Sequence, residues 1–173
     1  MPGAPHFDFP RGSGRRRAIV LTISDRSARG ERPDASGPQV AAYLQAHGFE
    51  VVASAVVVDD RRQIITALRA AARAAALVIT TGGTGCSPRD VTPEATAHVV
   101  QKLVPGLSEA MRAAGAAHQP RAWLSRGLAG LRGHSLIVNL PGSPKGAIES
   151  LSAVMEILPH ALDNAAGSDH REE

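Results

Sequence analysis

The sequence predicts an α/β domain, a sheet flanked by helices, and three observations lead there. Short apolar runs rich in β-branched residues, Ala18 to Ile23, Leu77 to Thr81 and Leu136 to Val138, have the length and continuity of strands buried on both faces. They alternate with segments whose apolar residues recur at helical spacing, the pattern of a sheet covered by helices. The chain has 173 residues, 43% hydrophobic and 20% charged, enough to bury one sizeable core where two would each be marginal.

Residues 1–16 are rich in Pro and Gly without periodicity and are expected to form a tail. The folded unit is expected over 17–165, with 166–173 as a polar tail. Ala18 to Ile23 opens it as a strand, and Ser24 to Pro33, carrying charge and glycine, reads as a loop at its carboxyl end. Ser36-Gly37-Pro38 supplies cap and first-turn signals for a helix through Val40 and Leu44 that closes at His47-Gly48. Phe49 to Val58 is the second strand. Asp59-Asp60 then begins a helix with Ile64, Ile65 and Leu68 on its apolar stripe. Leu77 to Thr81 runs directly into Gly82-Gly83-Thr84-Gly85. Thr92-Pro93-Glu94 places a capping hydroxyl, a first-turn proline and an acid at a helix start, and Pro105-Gly106 separates that helix from one through Leu107, Met111 and Ala114. Trp123 and Leu124 fall on an edge or loop. Leu136 to Val138 is a strand ending at Asn139-Leu140-Pro141-Gly142, and Ser143-Pro144 starts a last helix expected to carry Ile148, Leu151, Val154, Met155 and Leu158 on one stripe.

Composition excludes several functions. Nineteen Lys and Arg face 16 Asp and Glu, the charges are interspersed, and aromatics make up only 3%; this is a poor footprint for nucleic acid. One cysteine, Cys86, forbids an intramolecular disulfide framework and a Cys-based zinc site. The apolar run after Arg15-Arg16-Arg17 is too short for an export signal or a membrane span. A cytoplasmic protein that engages neither membrane nor nucleic acid is expected. The seven histidines show no paired metal-ligand spacing, and no Gly-x-Ser-x-Gly elbow occurs.

Ligands of open α/β sheets collect beyond the carboxyl ends of strands. Four loops there carry unusual chemistry: Ser24-Asp25-Arg26, Val58-Asp59-Asp60, the segment from Gly82 to Asp90, and Asn139 to Pro144. The glycine segment is neither a Walker loop, lacking Gly-Lys-Ser/Thr, nor a dinucleotide fingerprint, having Pro88 where the third glycine belongs. It is either a tight strand-to-helix turn or a cradle whose backbone N–H groups and Thr84 hydroxyl approach an anion. Asp59 and Asp90 lie beyond neighbouring strands, where two carboxylates converging on one mouth suit a hard cation that also holds polyphosphate; each is otherwise a helix-cap carboxylate. Arg89 and Lys145 are expected to bring positive charge to opposite sides of that mouth.

At these loops the sequence resembles the MoaB/Mog family of molybdopterin adenylyltransferases, relatives of gephyrin-type molybdopterin-binding domains. The matching segments are Ile23 to Arg26 with Asp34 to Gly37, Thr80 to Gly85 with Pro88 to Thr96, Leu124-Ser125-Arg126, and Val138 to Gly146. The resemblance implies a three-layer α/β/α sandwich with a mostly parallel central sheet, usually a homotrimer. Its implied reaction is Mg²⁺-dependent transfer of AMP from ATP to the terminal phosphate of molybdopterin, releasing pyrophosphate and leaving a product for hand-over to a molybdenum-inserting enzyme. By position, Asp59 and Asp90 would hold Mg²⁺ and organise the phosphoryl groups, Asp60 being the other candidate beside Asp59. Gly82, Gly83, Thr84 and Gly85 would line the nucleotide and phosphate site, with Lys145 nearby. Ser24, Asp25, Ser125, Asn139, Pro141, Gly142 and Ser143 would frame the pterin side. The alternative within the same resemblance is a protein that binds molybdopterin without turning it over.

Overall fold

A computed structural model describes Phe7, Phe9 and residues 16–167; most of the two expected tails lies outside the described residues. Six strands form one sheet: β1 (Arg17–Ile23), β2 (Glu50–Val57), β3 (Leu77–Thr81), β4 (Lys102–Leu103), β5 (Ala129–Arg132) and β6 (Ser135–Leu140), in the order β2-β1-β3-β6-β5-β4. The first four in that order are parallel, and β5 and β4 complete the sheet antiparallel. The helices are α1 (Asp25–Ala28), α2 (Ser36–Ala46), α3 (Arg61–Ala74), α4 (Thr92–Val99), α5 (Pro105–His118), α6 (Pro144–Val154) and α7 (Leu158–Ala165).

Alternation along the strands builds the three layers. In β1, Ala18 and Val20 face a core shared with α2, α5, α6 and α7, through Val40, Leu44, Met111, Leu151 and Leu158. Ile19, Leu21 and Ile23 point the other way, onto Ile64, Leu68 and Ala71 of α3 and Ala95 and Val99 of α4. Both faces of β1 and β3 are therefore buried, which is why each reads in sequence as an unbroken apolar run. Phe7 and Phe9, in the segment expected as a tail, stack at 6.1 Å and pack partly buried against the α3 side.

Several local expectations are corrected. Ser24 to Pro33 contains the short α1, whose N-cap is Ser24: its side chain accepts from the Ser27 N–H. Asp34, rather than Ser36, satisfies the start of α2, with Oδ1 accepting the Ser36 and Gly37 N–H groups at 3.1 and 3.0 Å. The Thr92 hydroxyl does not cap α4 but donates to the Gly82 carbonyl at 2.9 Å, tying that helix start to the glycine loop. The strands β4 and β5 have no periodic signal because β4 is only two residues long, both exposed, and β5 only four, Gly130 among them. The last helix is two: Pro159 cannot donate to the preceding turn, and the chain re-enters helix at Leu158.

Candidate active site

The strand order reverses around β1, since α2 carries the chain to β2 on one side and α3 returns it to β3 on the other. The crevice beyond the carboxyl ends of β1 and β3 is thus the expected ligand position. A cleft of about 850 Å³ opens there, lined by Ser24, Asp25, Asp59, Gly82, Gly83 and Asp90 among others.

The loops after β1 and β2 are fastened to each other. Asp59 Oδ2 accepts the Asp25 N–H at 2.8 Å, and Asp25 Oδ1 accepts the Asp59 N–H at 3.0 Å. The other Asp25 oxygen pairs with the Arg89 guanidinium, which crosses from the glycine loop. Burial, then the charge of Asp90, pushes the Asp59 carboxyl above its usual range. The two acids are therefore close enough to repel, and both line the same cleft. Asp60 is not among the residues lining this cleft; it caps α3, its Oδ1 accepting the Gln63 N–H at 2.9 Å.

The glycine loop holds its shape by close approach. Gly82 has φ +103°, and a Cβ there would sit 2.3 Å from the Ile23 carbonyl oxygen. Gly83 has φ +64°, and its Cβ would meet the Thr92 hydroxyl at 2.4 Å and Asp59 Oδ1 at 3.2 Å. Among the described residues, the N–H groups of Gly83, Thr84 and Gly85 have no acceptor, so three amide donors remain for an anion. Asp90 is braced within the loop, Oδ2 accepting the Ser87 N–H at 2.8 Å while its own N–H donates to the Ser87 carbonyl at 2.9 Å. Gly82→Ala is expected to cost about 2–4 kcal/mol, because both the left-handed backbone and the clash with a main-chain oxygen oppose it. Thermal melting should fall by roughly 10 °C. Gly106→Ala, whose Cβ meets nothing within 4 Å, should leave melting unchanged or slightly higher.

A second cleft of about 360 Å³ lies on the far side of the same loop. Thr84, Gly85, Ser125 and Pro141 line it, and Gly83, Asp90, Gly142 and Ser143 line both clefts. The residues expected to frame one pterin side are thereby divided: Ser24 and Asp25 face the first cleft, Ser125 and Pro141 the second. Ser143 caps α6, accepting the Gly146 N–H at 3.2 Å. Asn139 faces neither cleft. It is 1% exposed, donating to the Thr80 and Thr96 hydroxyls at 2.9 and 3.0 Å and accepting the Leu128 N–H at 3.3 Å, so it locks the end of β6 to β3 and α4. Lys145 is corrected as well. Its side chain is 86% exposed, 3.7 Å from Glu149, and lines neither cleft.

Sequence reasoning assigned no role to Asp34 or Arg126. Asp34 accepts the Thr22 hydroxyl at 2.6 Å and lines the first cleft; its signal was a carboxylate two residues before a helix start. Arg26, Arg29 and Arg32 also line that cleft as an arginine rim, Arg29 being paired with Glu31 at 2.6 Å.

Residues 19–160 match the family described as "Probable molybdopterin binding domain". The molybdopterin adenylyltransferase of Helicobacter pylori (strain J99) is 40% identical over 156 residues, covering 86% of this chain and 87% of that protein. The crystal structure of the molybdopterin biosynthesis enzyme MoaB from Thermus thermophilus superposes with a TM-score of 0.83 at 49% identity, covering 88% of this chain and 97% of that one. The molybdopterin biosynthesis Mog protein from Mycobacterium ulcerans gives 0.82 at 43% identity, covering 87% and 99%. A match spanning both clefts and all four site loops, with relatives aligned over nearly their full length, means that this chain belongs to the molybdopterin-binding domain family.

Proposed function

We propose that this protein is a molybdopterin adenylyltransferase of molybdenum cofactor biosynthesis, transferring AMP from ATP to the terminal phosphate of molybdopterin and releasing pyrophosphate. The observation that carries this reading is the pair of clefts separated by one shared wall of Gly83, Asp90, Gly142 and Ser143. Two anionic substrates can occupy neighbouring compartments and meet at that wall. A phosphate oxygen of the pterin forms its bond to the α-phosphorus of ATP as the bond to pyrophosphate breaks.

The side chains suit that task. Adenylyl transfer is chiefly positioning plus neutralisation of phosphate charge. The unbonded N–H groups of Gly83, Thr84 and Gly85 stabilise phosphate oxygens, and the arginine rim attracts the polyphosphate. The donor set fits Mg²⁺, which is commonly held by one or two carboxylates with substrate phosphates and water completing its shell: of the four carboxylates that line the first cleft, Asp25 pairs with Arg89 and Asp34 accepts the Thr22 hydroxyl, and the like-charge repulsion between the other two, Asp59 and Asp90, is what a divalent cation relieves. Asp59 and Asp90 would hold it, and when bound it would supply charge neutralisation on the phosphates. Asn139 supports the wall from beneath. The same reading includes a homotrimer in the cytoplasm that hands its product to a molybdenum-inserting enzyme. Among the described residues no helix is long and apolar enough to cross a membrane.

The test is incubation of the protein with molybdopterin, ATP and Mg²⁺, with the products separated and weighed by mass spectrometry. Adenylyl-molybdopterin and pyrophosphate in equal amounts are expected. Pterin bound and recovered unmodified would replace this reading with that of a non-catalytic carrier.

A further inference from the structure

Arg126 lines neither cleft, yet it is bonded to the glycine loop at both ends of its turn. Its backbone N–H donates to the Thr84 carbonyl at 2.8 Å. Its Nε donates to the Gly85 carbonyl and its Nη2 to the Asp90 carbonyl, both at 2.7 Å. Its Nη1 pairs with the Glu94 carboxylate on α4. One planar fork thus grips the loop before and after its turn and anchors it to the helix that follows. Arg126 is itself held, because Arg112 of α5 donates to the Ser125 and Gly127 carbonyls on either side, at 3.3 and 3.0 Å. The Cys86 thiol adds a contact to the Leu124 carbonyl at 3.6 Å.

Stability alone does not account for this arrangement. The Arg126 and Glu94 side chains are 37% and 43% exposed, and an exposed ion pair contributes about 0–1 kcal/mol. The two carbonyl bonds are different in kind, since they fix main-chain atoms of the very segment whose side chain is Asp90. Only a guanidinium offers donors at the right angles to hold two carbonyls and a carboxylate together; a lysine ammonium is a point charge on a flexible stem. A displacement of about 1 Å at a reacting group can cost about a hundredfold in rate.

We propose that Arg126 is a positioning residue for AMP transfer, clamping residues 84–90 so that Asp90 is held at the wall between the two clefts. It acts through Asp90 and the loop amides and touches no substrate. The inference rests on the adenylyltransferase reading for its rate effect and on geometry alone for the ordering of the loop.

The experiment compares full-length wild type, Arg126→Met and Arg126→Lys by steady-state transfer, thermal melting and amide hydrogen exchange without substrates. In Arg126→Met, kcat should fall about a hundredfold, with KM for ATP within about threefold and melting close to wild type. Exchange of the hydrogen-bonded Ser87, Arg89 and Asp90 amides should accelerate at least roughly tenfold while the strands β1, β3 and β6 exchange as before. Arg126→Lys should fall between the two, and added guanidinium ion should restore part of the Arg126→Met rate but none of the Arg126→Lys deficit. A kcat within threefold of wild type with unchanged loop exchange would overturn the proposal. So would collapse of the melting transition in both variants, which would make Arg126 a general element of the fold. If wild type itself transfers no AMP, the functional reading fails, and the exchange measurement still decides whether Arg126 orders the loop.

Discussion

Asp90→Asn should lower kcat for AMP transfer by about a hundred- to a thousandfold, the range seen when one preorganised electrostatic group is removed from a transition state, while molybdopterin affinity stays within about threefold. The substitution is close to isosteric. Its amide oxygen can still accept the Ser87 N–H that Asp90 Oδ2 accepts at 2.8 Å, so the loop keeps its turn and only the charge is lost. Relief of repulsion toward Asp59 also means that the fold has no reason to weaken. What disappears is one of the two carboxylates that would hold Mg²⁺ in the first cleft. In the proposed reading the pterin occupies the second cleft, where Ser125 and Pro141 remain untouched and Asp90 contributes one wall residue among many. Steady-state kinetics paired with equilibrium pterin binding separates these outcomes. Equal losses in rate and in affinity would mean that Asp90 is a general binding group, and the charge-holding role would have to be abandoned.

That prediction needed only the sequence to name Asp90, and the reason lies in topology. In a parallel sheet all carboxyl ends point one way, so loops after β1, β2, β3 and β6 must gather at one rim even though Asp59 and Asp90 are far apart along the chain. Burial on both faces made β1 and β3 legible as apolar runs, and Gly82 and Gly83 were legible as a backbone that side chains would obstruct. The bonding within the rim was not legible. The reciprocal Asp25 and Asp59 bonds, the grip of Arg126 on Gly85 and Asp90, and the burial of Asn139 join residues between 11 and 59 positions apart through side chains that follow no period. For the same reason the family motifs located Ser24, Asp25, Ser125 and Pro141 at the rim but not on opposite sides of the glycine loop: a motif fixes which segments meet, and only the fold of the loop between them fixes which face each presents. Lys145 shows the limit most clearly. It follows a capping serine next to the site, yet the direction of its position on α6 carries its ammonium out to Glu149. The break at Pro159 is the opposite case, since a proline inside an apolar stripe already signals that a helix must stop.

Asp59→Asn should melt about 2–4 °C higher than wild type at pH 7 in EDTA while losing transfer activity to a similar degree as Asp90→Asn. The sign follows from the direction of the Asp59 shift. Burial first, and the Asp90 charge second, raise the folded-state carboxyl above its ordinary value of 3.8. The folded protein therefore binds this proton more tightly than the unfolded chain, so stability declines as pH rises through the window between 3.8 and the raised value. Above the window the full cost of an ionised, half-buried Asp59 is present; below 3.8 the carboxyl is neutral in both states and the cost vanishes. An asparagine removes the cost without removing the acceptor for the Asp25 N–H. The melting advantage of Asp59→Asn should accordingly shrink as pH is lowered through that window and disappear at its acidic end. A background of Asp90→Asn supplies an internal check: with the like charge gone but burial retained, the advantage should become smaller without being abolished. Melting curves from about pH 3.5 to 8 in the four combinations would measure both effects. An Asp59→Asn protein no more stable than wild type at pH 7 would mean that the Asp59 carboxylate is not strained in the folded state, and the case for a cation relieving repulsion at this rim would lose its physical basis.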